Sequence, residues 1–178
     1  MTIIVGYKHE GNVYLGGDSQ GSAGYDSVVR LDEKVFVAHS IAYGFTSSYR
    51  MGQILRYHSK KIVHTDRTND LPAYIVKRLV PMWRKIMAKN GVLYTDGGEE
   101  TGGNFLVGID GRLFNIDSDF QVGESKNGYD AVGCGFSYSL GYLYSNPDST
   151  PKKVVKKAIK AAIKFSAGCG GHINIVKV

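Results

Sequence analysis

The sequence predicts an α+β fold, a four-layer αββα sandwich of two antiparallel sheets. Three observations support this prediction. Along the 178 residues, the predicted elements run in the order strands, two helices, strands, two helices and a last strand. Short turn signals join neighbouring strands, which is typical of antiparallel hairpins. Two sheets stacked face to face, each with a helical layer outside, would bury both sheets.

The first third of the chain is predicted to form two hairpins. Turn-forming residues at 9–12 separate the strands of the first hairpin, and His39-Ser40 separates those of the second. A polar, Gly-containing stretch at 19–26 lies between the hairpins. The four strands are expected at residues 3–8, 13–17, 34–37 and 41–45.

Two helices are predicted in the middle of the chain. Ser47 or Ser48 can cap the first helix and Asp70 the second, because their side-chain oxygens accept hydrogen bonds from the first turn. Pro81 should kink the second helix, since proline lacks an N–H and its ring crowds the preceding turn. Gly91 can end that helix.

The second half of the chain again shows strands followed by helices. Residues 93–103 are interpreted as a loop. Asp110-Gly111 is a two-residue hairpin signal, and the segment 149–151 ends in a proline that favours a helix start. Strands are expected at 104–109, 113–116, 129–133 and 172–178, and helices at 137–144 and 151–165.

The composition excludes several classes of protein. A hydrophobic content of 43% and a charged content of 21% fit a soluble globular chain, expected to be one domain over 1–178. No apolar run is long enough to cross a bilayer, and the start does not resemble a signal peptide, so a cytoplasmic location is expected. The two cysteines suit a reducing compartment. No metal site or organic cofactor is indicated by the scattered histidines.

The net charge of +6 comes mainly from one predicted helix. Its lysines recur every four residues, at Lys152, Lys156, Lys160 and Lys164, with Lys153 and Lys157 beside them. The opposite face of this helix is apolar, so the lysines are interpreted as a solvated face. Because no basic groove interleaved with aromatic residues accompanies them, nucleic acid is not an expected partner.

Thr2 is the most informative residue, because removal of Met1 would make it the new amino terminus. Methionine aminopeptidases remove Met when a small residue follows. An N-terminal threonine combines a nucleophilic hydroxyl with an amine whose pKa is about 7.7–8.0, and this amine can act as the base. The alternative is that Met-Thr is simply a common start of cytosolic proteins.

Thr2, Asp18 and Lys34 are spaced by sixteen residues and fall at the ends of predicted strands. A lysine beside the threonine hydroxyl would favour the alkoxide, and an aspartate would hold that lysine charged. Gly44 on the fourth strand could offer its N–H to an oxyanion. The alternatives are a turn role for Asp18, a solvated strand start for Lys34 and a packing role for Gly44.

An ordered set of motifs resembles the β-type subunits of proteasomes and the bacterial HslV peptidase, nearly from end to end. Residues 104–117 look like the central hairpin of that family, and 168–175 look like its terminal strand. The other matching motifs are Thr2, Gly6, Gly17-Asp18, Lys34-Val35, Gly44 and Val132-Gly133-Cys134-Gly135. The resemblance implies the sandwich fold of N-terminal nucleophile hydrolases and assembly into rings that enclose the active sites.

The resemblance also implies roles and reveals departures. It makes Thr2 the nucleophile and places Cys134 beside the terminal amine, where the family usually has serine. Cys169 also replaces a family serine, and Ser166 stands where proteasome subunits have aspartate. Cys134 could instead be a buried apolar residue, and Ser166 a helix-end residue. Since both cysteines are placed around the amine, we form the hypothesis that they bond under oxidation and slow the enzyme.

A first specificity pocket follows from the same resemblance. Its expected lining is Gly21, Ser22, Asp32, Phe36, Ala42 and Thr46. Asp32 would favour a basic substrate residue, whereas Phe36 would favour an apolar one, and the sequence leaves both open.

The sequence therefore predicts a threonine-type endopeptidase subunit that acts through an acyl-enzyme ester on Thr2. Expected partners are copies of the chain in a ring, an unfolded-protein or peptide substrate and an ATP-dependent unfoldase, for which the lysine face is a docking surface. Maturation is expected by removal of Met1, without a long propeptide. Two alternatives share the fold: a hydrolase of small amides, and a silent scaffold that retains Met1.

Overall fold

The computed structural model describes residues 1–59, 70–145 and 150–178. The strands are β1 (Ile3–His9), β2 (Asn12–Asp18), β3 (Gln20–Ala23), β4 (Asp26–Val29), β5 (Val35–Ala38), β6 (Ile41–Phe45), β7 (Tyr94–Asp96), β8 (Glu99–Thr101), β9 (Phe105–Ile109), β10 (Arg112–Ile116), β11 (Val122–Glu124), β12 (Tyr129–Gly133) and β13 (Ile173–Lys177). The helices are α1 (Tyr49–His58), α2 (Leu71–Tyr74), α3 (Val80–Lys89), α4 (Phe136–Ser145) and α5 (Pro151–Phe165).

Two antiparallel sheets form the centre of the molecule, as predicted. The first has the strand order β12-β1-β2-β13, and the second has the order β11-β10-β9-β6-β5. Helices α4 and α5 pack on the outer face of the first sheet. Helices α1 to α3 share a hydrophobic core with the second sheet. The four-layer αββα prediction is confirmed.

Strand β1 shows how the alternation of side chains builds these layers. Ile3 and Val5 point into the core that α4 and α5 cover. Ile4, between them, points into the core between the two sheets. Successive side chains of a strand face opposite sides, so a strand that is apolar on both sides is buried between a helical layer and a second sheet.

The predicted turns of the main hairpins are confirmed. Glu10 and Gly11 both have positive φ, at 47° and 73°, between β1 and β2. Asp110 and Gly111 repeat this geometry between β9 and β10, with φ of 48° and 69°. Two successive left-handed residues give the turn whose twist matches that of antiparallel strands.

The predicted helix caps also hold. Ser48 caps α1 by accepting a hydrogen bond from the Met51 N–H at 3.3 Å, and Asp70 caps α2 through the Ala73 N–H at 3.1 Å. After α3, Gly91 has a φ of 64°. Thr150 is the cap residue of α5, whereas Ser149 of the predicted start segment lies outside the described residues.

Pro81 was expected to kink the second helix, and the structure has a π-helical turn next to it. This turn (Ile75–Leu79) connects α2 to α3 immediately before Pro81. In an α-helix the residue at position 81 would donate to the carbonyl of Lys77, and proline has no N–H to do so. A wider turn at that place accommodates the missing hydrogen bond.

The loop prediction for 93–103 was wrong, and strands in two further regions were not predicted. The polar stretch 19–26 contributes to the β3–β4 hairpin, and the expected loop 93–103 contains the β7–β8 hairpin. The short strand β11 was also missed. In both hairpins each strand pairs only with its partner, and β4 and β7 are exposed along their whole length. An exposed strand lacks the alternation of apolar and polar residues from which a strand is predicted.

Within the described ranges, no helix combines the length and the apolar character that a bilayer crossing requires.

Candidate active site

Thr2 lies just before β1 and is almost completely buried, with 6% of its surface exposed. Its Oγ1 donates a hydrogen bond to the Met1 carbonyl at 2.6 Å. Its backbone N–H donates to Cys134 Sγ at 3.4 Å, and the thiol of Cys134 donates back to the Thr2 carbonyl at 3.4 Å. While Met1 is attached, the Thr2 nitrogen is an amide and cannot act as a base.

Asp18, the last residue of β2, connects the parts of the site. One carboxylate oxygen accepts from Lys34 Nζ at 2.7 Å and from the Ile3 N–H at 3.0 Å. The other accepts from the Gly170 N–H at 3.0 Å and the Gln20 N–H at 3.3 Å. Through these hydrogen bonds the Asp18 side chain fixes the positions of Ile3, Lys34 and Gly170 relative to one another.

Lys34 directly precedes β5 and is buried beside Asp18. Its ammonium also donates to the Gln20 carbonyl at 2.6 Å. Burial lowers the pKa of Lys34, and the neighbouring Asp18 carboxylate offsets part of that effect. Both side chains are at most 1% exposed, so the reading of Lys34 as a solvated strand start is wrong. The turn reading of Asp18 remains compatible with the structure, because the Gln20 N–H donates to its carboxylate.

The expected contact between Lys34 and the nucleophile is not formed in the chain that carries Met1. Within the described residues, the Thr2 hydroxyl bonds to the Met1 carbonyl and the lysine bonds to Asp18 and Gln20. Thr2 and Lys34 nevertheless line the same narrow cleft of about 60 Å³. Removal of Met1 would take away the present partner of the Thr2 hydroxyl.

The position of Gly44 disagrees with its expected role as an oxyanion donor. Gly44 is the fourth residue of β6, paired with Val35 on β5 and Leu106 on β9. Further along β6, the Thr46 N–H donates to the Asn104 carbonyl. Hydrogen-bonding direction repeats every two residues, so the Gly44 N–H faces β9 rather than Thr2. A Cβ at Gly44 would lie 2.5 Å from Ile4 Cγ2, which supports the packing role.

Ser47 is one of the residues beside Thr2 that the sequence did not predict. It follows β6 with a φ of 72°, which is unusual for a residue other than glycine. It lines the same cavities as Thr2, and no carbonyl within the described parts of the chain accepts from its N–H. The Ser47-Ser48 pair, treated only as a helix cap, was the signal in the sequence.

Cys134 and Cys169 come together next to Thr2, as the resemblance implied. Their sulfur atoms lie 3.6 Å apart, and both thiols are free. Cys134 is exposed, which excludes the reading as a buried apolar residue. Cys169 is buried, and burial raises its pKa to about 12. Ser166 ends α5, as its helix-end reading predicted, and its hydroxyl also reaches Cys134 Sγ at 3.7 Å.

A cavity of about 570 Å³ opens in front of Thr2 and Ser47. Asp117 and Asp130 line it and also line a neighbouring cavity of about 470 Å³. Burial, together with the nearby charge of Asp117, raises the pKa of Asp130. The two cavities provide an acidic space, continuous with the nucleophile, that an extended chain could enter.

The structure separates the residues that were expected to line the specificity pocket. Ser22 and Thr46 line the narrow cleft together with Thr2, and Gly21 lines an adjacent cavity. Phe36 instead stacks on Tyr43 in the core under α1 to α3. Ala42 lies in the core between the sheets. Both were misplaced because the sequence does not tell which face of a strand meets the site.

Asp32 does not offer a free carboxylate either. Arg30 pairs with both of its oxygens, at 2.7 and 2.8 Å, and this pairing lowers the pKa of Asp32. The guanidinium of Arg30 also lies 4.1 Å from the ring centre of Tyr49. Tyr49 and Phe45 line the cleft beside Thr2, and neither was predicted.

The described parts of the chain contain no set of side chains that could bind a metal ion together. No group of three or more His, Cys, Asp or Glu side chains there could hold a metal ion. Around Thr2 the site offers a hydroxyl, a thiol and a buried lysine–aspartate pair, together with the Ser47 N–H, which has no carbonyl partner among the described residues.

Comparison with known proteins gives matches in structure only. No protein-family model matches the chain, and no curated protein matches its sequence. The structure of Thiobacillus denitrificans BPH superposes with a TM-score of 0.84 at 18% identity, covering 99% of this chain and 97% of that one. The complex of the same protein with epoxomicin gives a TM-score of 0.79, again at 18% identity and with the same coverage.

The eukaryotic HslV from Trypanosoma brucei also matches. Its TM-score is 0.68 at 17% identity, and the match covers 98% of both chains. At sequence identities this low, a structural match establishes a shared fold but not a shared reaction. The αββα sandwich, its strand order and these full-length matches lead to one conclusion: the chain has the fold of the HslV-type, proteasome-like peptidases.

Proposed function

We propose that this chain is a threonine-type endopeptidase subunit whose nucleophile is the hydroxyl of Thr2 after removal of Met1. The observation that carries the proposal is the position of Thr2. It lies at the mouth of a large cavity, with a buried Lys34–Asp18 pair behind it and Cys134 at its nitrogen. A surface threonine at a chain end has no structural need for such surroundings.

The first step follows from this geometry. Once Met1 is hydrolysed off, the Thr2 nitrogen becomes a primary amine held against Cys134. The neutral amine takes the proton of its own hydroxyl, and the oxygen attacks the carbonyl carbon of the substrate peptide. Lys34, kept in place by Asp18, provides positive charge next to the developing alkoxide.

The tetrahedral intermediate carries a negative oxygen that needs a donor. We assign this role to the Ser47 N–H, because Ser47 lines both cavities with Thr2 and its N–H donates to no carbonyl in the ranges that the structure describes. Collapse of the intermediate breaks the peptide bond. The ammonium of Thr2 returns a proton to the leaving amine, and an ester on Thr2 remains. Water activated by the same amine then hydrolyses this ester.

Assembly and partners extend the proposal. By analogy with its structural neighbours, we propose that copies of the chain form a ring that encloses the cavities, and that unfolded protein or peptide is the substrate. An ATP-dependent unfoldase would deliver it. The lysine face of α5 is available for that contact, since Lys152, Lys153, Lys156, Lys157 and Lys160 are exposed. A cytoplasmic location would suit such a system.

Intact mass and covalent labelling test the proposal. Protein produced in its native host should lack Met1, and it should form a one-to-one adduct with epoxomicin, the compound bound in the Thiobacillus denitrificans structure. Peptide mapping should place the adduct on Thr2. The variant Thr2→Ala, processed in the same way, should form none. A full-length mass without adduct would contradict the proposal.

One observation favours the silent scaffold as the second candidate. The Met1 carbonyl accepts a hydrogen bond from the Thr2 hydroxyl, and the partly exposed Met1 side chain lies beside Gly168. A chain that keeps Met1 in its native host would match this reading. A small-amide hydrolase is the third outcome of the same tests: a labelled Thr2 with turnover of amino-acid amides but none of peptides would establish it.

A further inference from the structure

The two cysteines of the chain approach each other from separate loops. Cys134 follows β12, and Cys169 lies between α5 and β13. Their sulfur atoms are 3.6 Å apart, whereas a disulfide bond is about 2.05 Å long, so closure needs a movement of about 1.5 Å. Since the sequence contains only 2 cysteines, this is the one disulfide that can form within a single chain.

Glycines on both loops make room for this approach. A Cβ at Gly135 would lie 2.8 Å from Cys169 Sγ, and a Cβ at Gly168 would lie 2.6 Å from Cys134 Sγ. Each loop therefore leaves out a side chain at the place that the sulfur of the other loop occupies. Glycines also flank each cysteine on both sides, which gives the two loops backbone freedom for a small closure.

We propose that Cys134 and Cys169 are an oxidisable dithiol site, in which a hydroperoxide joins the two thiols into a disulfide that reversibly slows the peptidase. The proposed disulfide rests only on the positions of the two sulfur atoms. Its effect on activity rests on the function proposed above.

The chemistry balances in two steps. The thiolate of the exposed Cys134 attacks one oxygen of the hydroperoxide and breaks the O–O bond, which gives a sulfenic acid and releases an alkoxide, or hydroxide when the oxidant is hydrogen peroxide. The thiolate of Cys169 then attacks the Cys134 sulfur, forms the S–S bond and expels the sulfenic oxygen as hydroxide. Protons from the two thiols convert these leaving groups to an alcohol or water and to water. In total, two thiols lose two electrons and two protons to the peroxide. Since the pKa of Cys169 is raised to about 12, the second step should become faster as pH rises.

Thr2 would be affected because Cys134 holds its backbone. The Cys134 thiol accepts from the Thr2 nitrogen and donates to the Thr2 carbonyl, each at 3.4 Å. A disulfide sulfur has no proton to donate, and it must move toward Cys169. The amine that serves as base would then lose its fixed position relative to the substrate.

The experiment compares wild type with Cys169→Ser after treatment with hydrogen peroxide and then with dithiothreitol. Thiols are counted by alkylation and mass spectrometry, and peptidase activity is measured in parallel. Oxidised wild type should yield a linked peptide that contains both cysteines. Its activity should fall about tenfold and return fully on reduction.

The Cys169→Ser variant is the matched control, because serine keeps a small hydrogen-bonding group beside Cys134 but cannot form the bond. Its activity after oxidation is compared with its own activity before oxidation. Peroxide should give no linked peptide, and Cys134 should proceed to sulfinic acid, which dithiothreitol does not reduce. Recovery should therefore be complete in wild type and incomplete in the variant.

The readouts separate the possible failures. Two alkylatable thiols after oxidation, or disulfides only between chains on non-reducing electrophoresis, would overturn the dithiol site. A linked peptide in an enzyme of unchanged activity would overturn the control of Thr2. A linked peptide in a chain that never shows peptidase activity would support the site and refute the proposed function.

Discussion

Lys34 Nζ lies 2.7 Å from Asp18 Oδ1, and both side chains are shielded from solvent. This ion pair joins the end of β2 to the start of β5, so it links the two sheets at the edge where Thr2 lies. Removing two charges from water costs free energy that their attraction only partly returns. We therefore interpret the pair as a feature of the active site rather than as a source of stability.

The first prediction concerns Asp18→Asn. The amide leaves the Lys34 ammonium buried without a counter-charge, so we expect the free energy of unfolding to fall by about 3–5 kcal/mol. Activity on a fluorogenic peptide should fall about 100-fold, because the lysine loses its orientation. Urea unfolding and initial rates measure the two effects.

Asp26→Asn provides the control, because Asp26 is an exposed carboxylate on β4. It should leave both quantities unchanged. If Asp18→Asn were as stable as wild type, the lysine would have to be neutral in the folded chain, and the assignment of a fixed positive charge beside Thr2 would be wrong.

The second prediction separates packing from chemistry at the two candidate oxyanion donors. Gly44→Ala places a Cβ against Ile4 and should destabilise the fold by about 1–3 kcal/mol. At a temperature where this variant is fully folded, kcat should be close to wild type. Ser47→Gly retains the N–H and the left-handed backbone and should retain activity.

Ser47→Val is the informative partner of Ser47→Gly. A β-branched residue is strained at a φ of 72°, so the backbone should rotate and withdraw the N–H from the cavity. We expect kcat to fall about 100-fold while far-UV circular dichroism is unchanged. If Ser47→Val were fully active and folded Gly44→Ala had lost kcat, the oxyanion donor would be the Gly44 N–H and not the Ser47 N–H.

Asp18, Lys34 and Gly44 show which parts of the site the sequence could predict and which it could not. Asp18 and Lys34 were identified because residue type and spacing sufficed: each ends or begins a strand, and hairpins bring such ends to one edge. Gly44 was misassigned because the direction of an N–H depends on strand register, here the pairing of Thr46 with Asn104. Register is set by tertiary packing.

The same limit explains the errors in the specificity pocket. Phe36 and Ala42 lie on predicted strands, but the faces they present depend on how the sheets stack. Arg30 escaped notice because its importance comes from contacts with Asp32 and Tyr49 that only the folded chain forms. Amphipathic helices, two-residue turns and buried strands were predicted well, since their signals are local.

The third prediction concerns pH and Asp130. Burial raises the pKa of this carboxyl above its value in the unfolded chain, so the folded state favours the neutral form. Its contribution to stability is therefore fully present below the unfolded pKa and is lost as pH rises through the folded pKa. Asp130→Asn, which is always neutral, should be more stable than wild type at pH 7.

This difference should shrink as the pH falls below the raised pKa of Asp130, because wild type is then itself protonated. Thermal unfolding of both proteins at a series of pH values measures it, with Asp26→Asn as an exposed carboxylate control. A stability difference that is the same at all pH values would show that Asp130 acts through packing and not through its charge.

The last prediction concerns the substrate residue that enters the cleft beside Thr2. Arg30 now neutralises Asp32 with two hydrogen bonds and covers the ring of Tyr49, a residue of that cleft. The negative charge of Asp32 reaches Tyr49, because it contributes with burial to raising the pKa of Tyr49 to about 12. Arg30→Gln should therefore leave an uncompensated carboxylate near the cleft.

We expect Arg30→Gln to raise kcat/KM for peptides with arginine at the cleaved position about tenfold relative to leucine, since charge complementarity stabilises the bound substrate. The double variant Arg30→Gln with Asp32→Asn should lose this gain. A preference that shifts equally in both variants would mean that Arg30 acts by occupying space over Tyr49, because removal of the Asp32 charge would then make no difference.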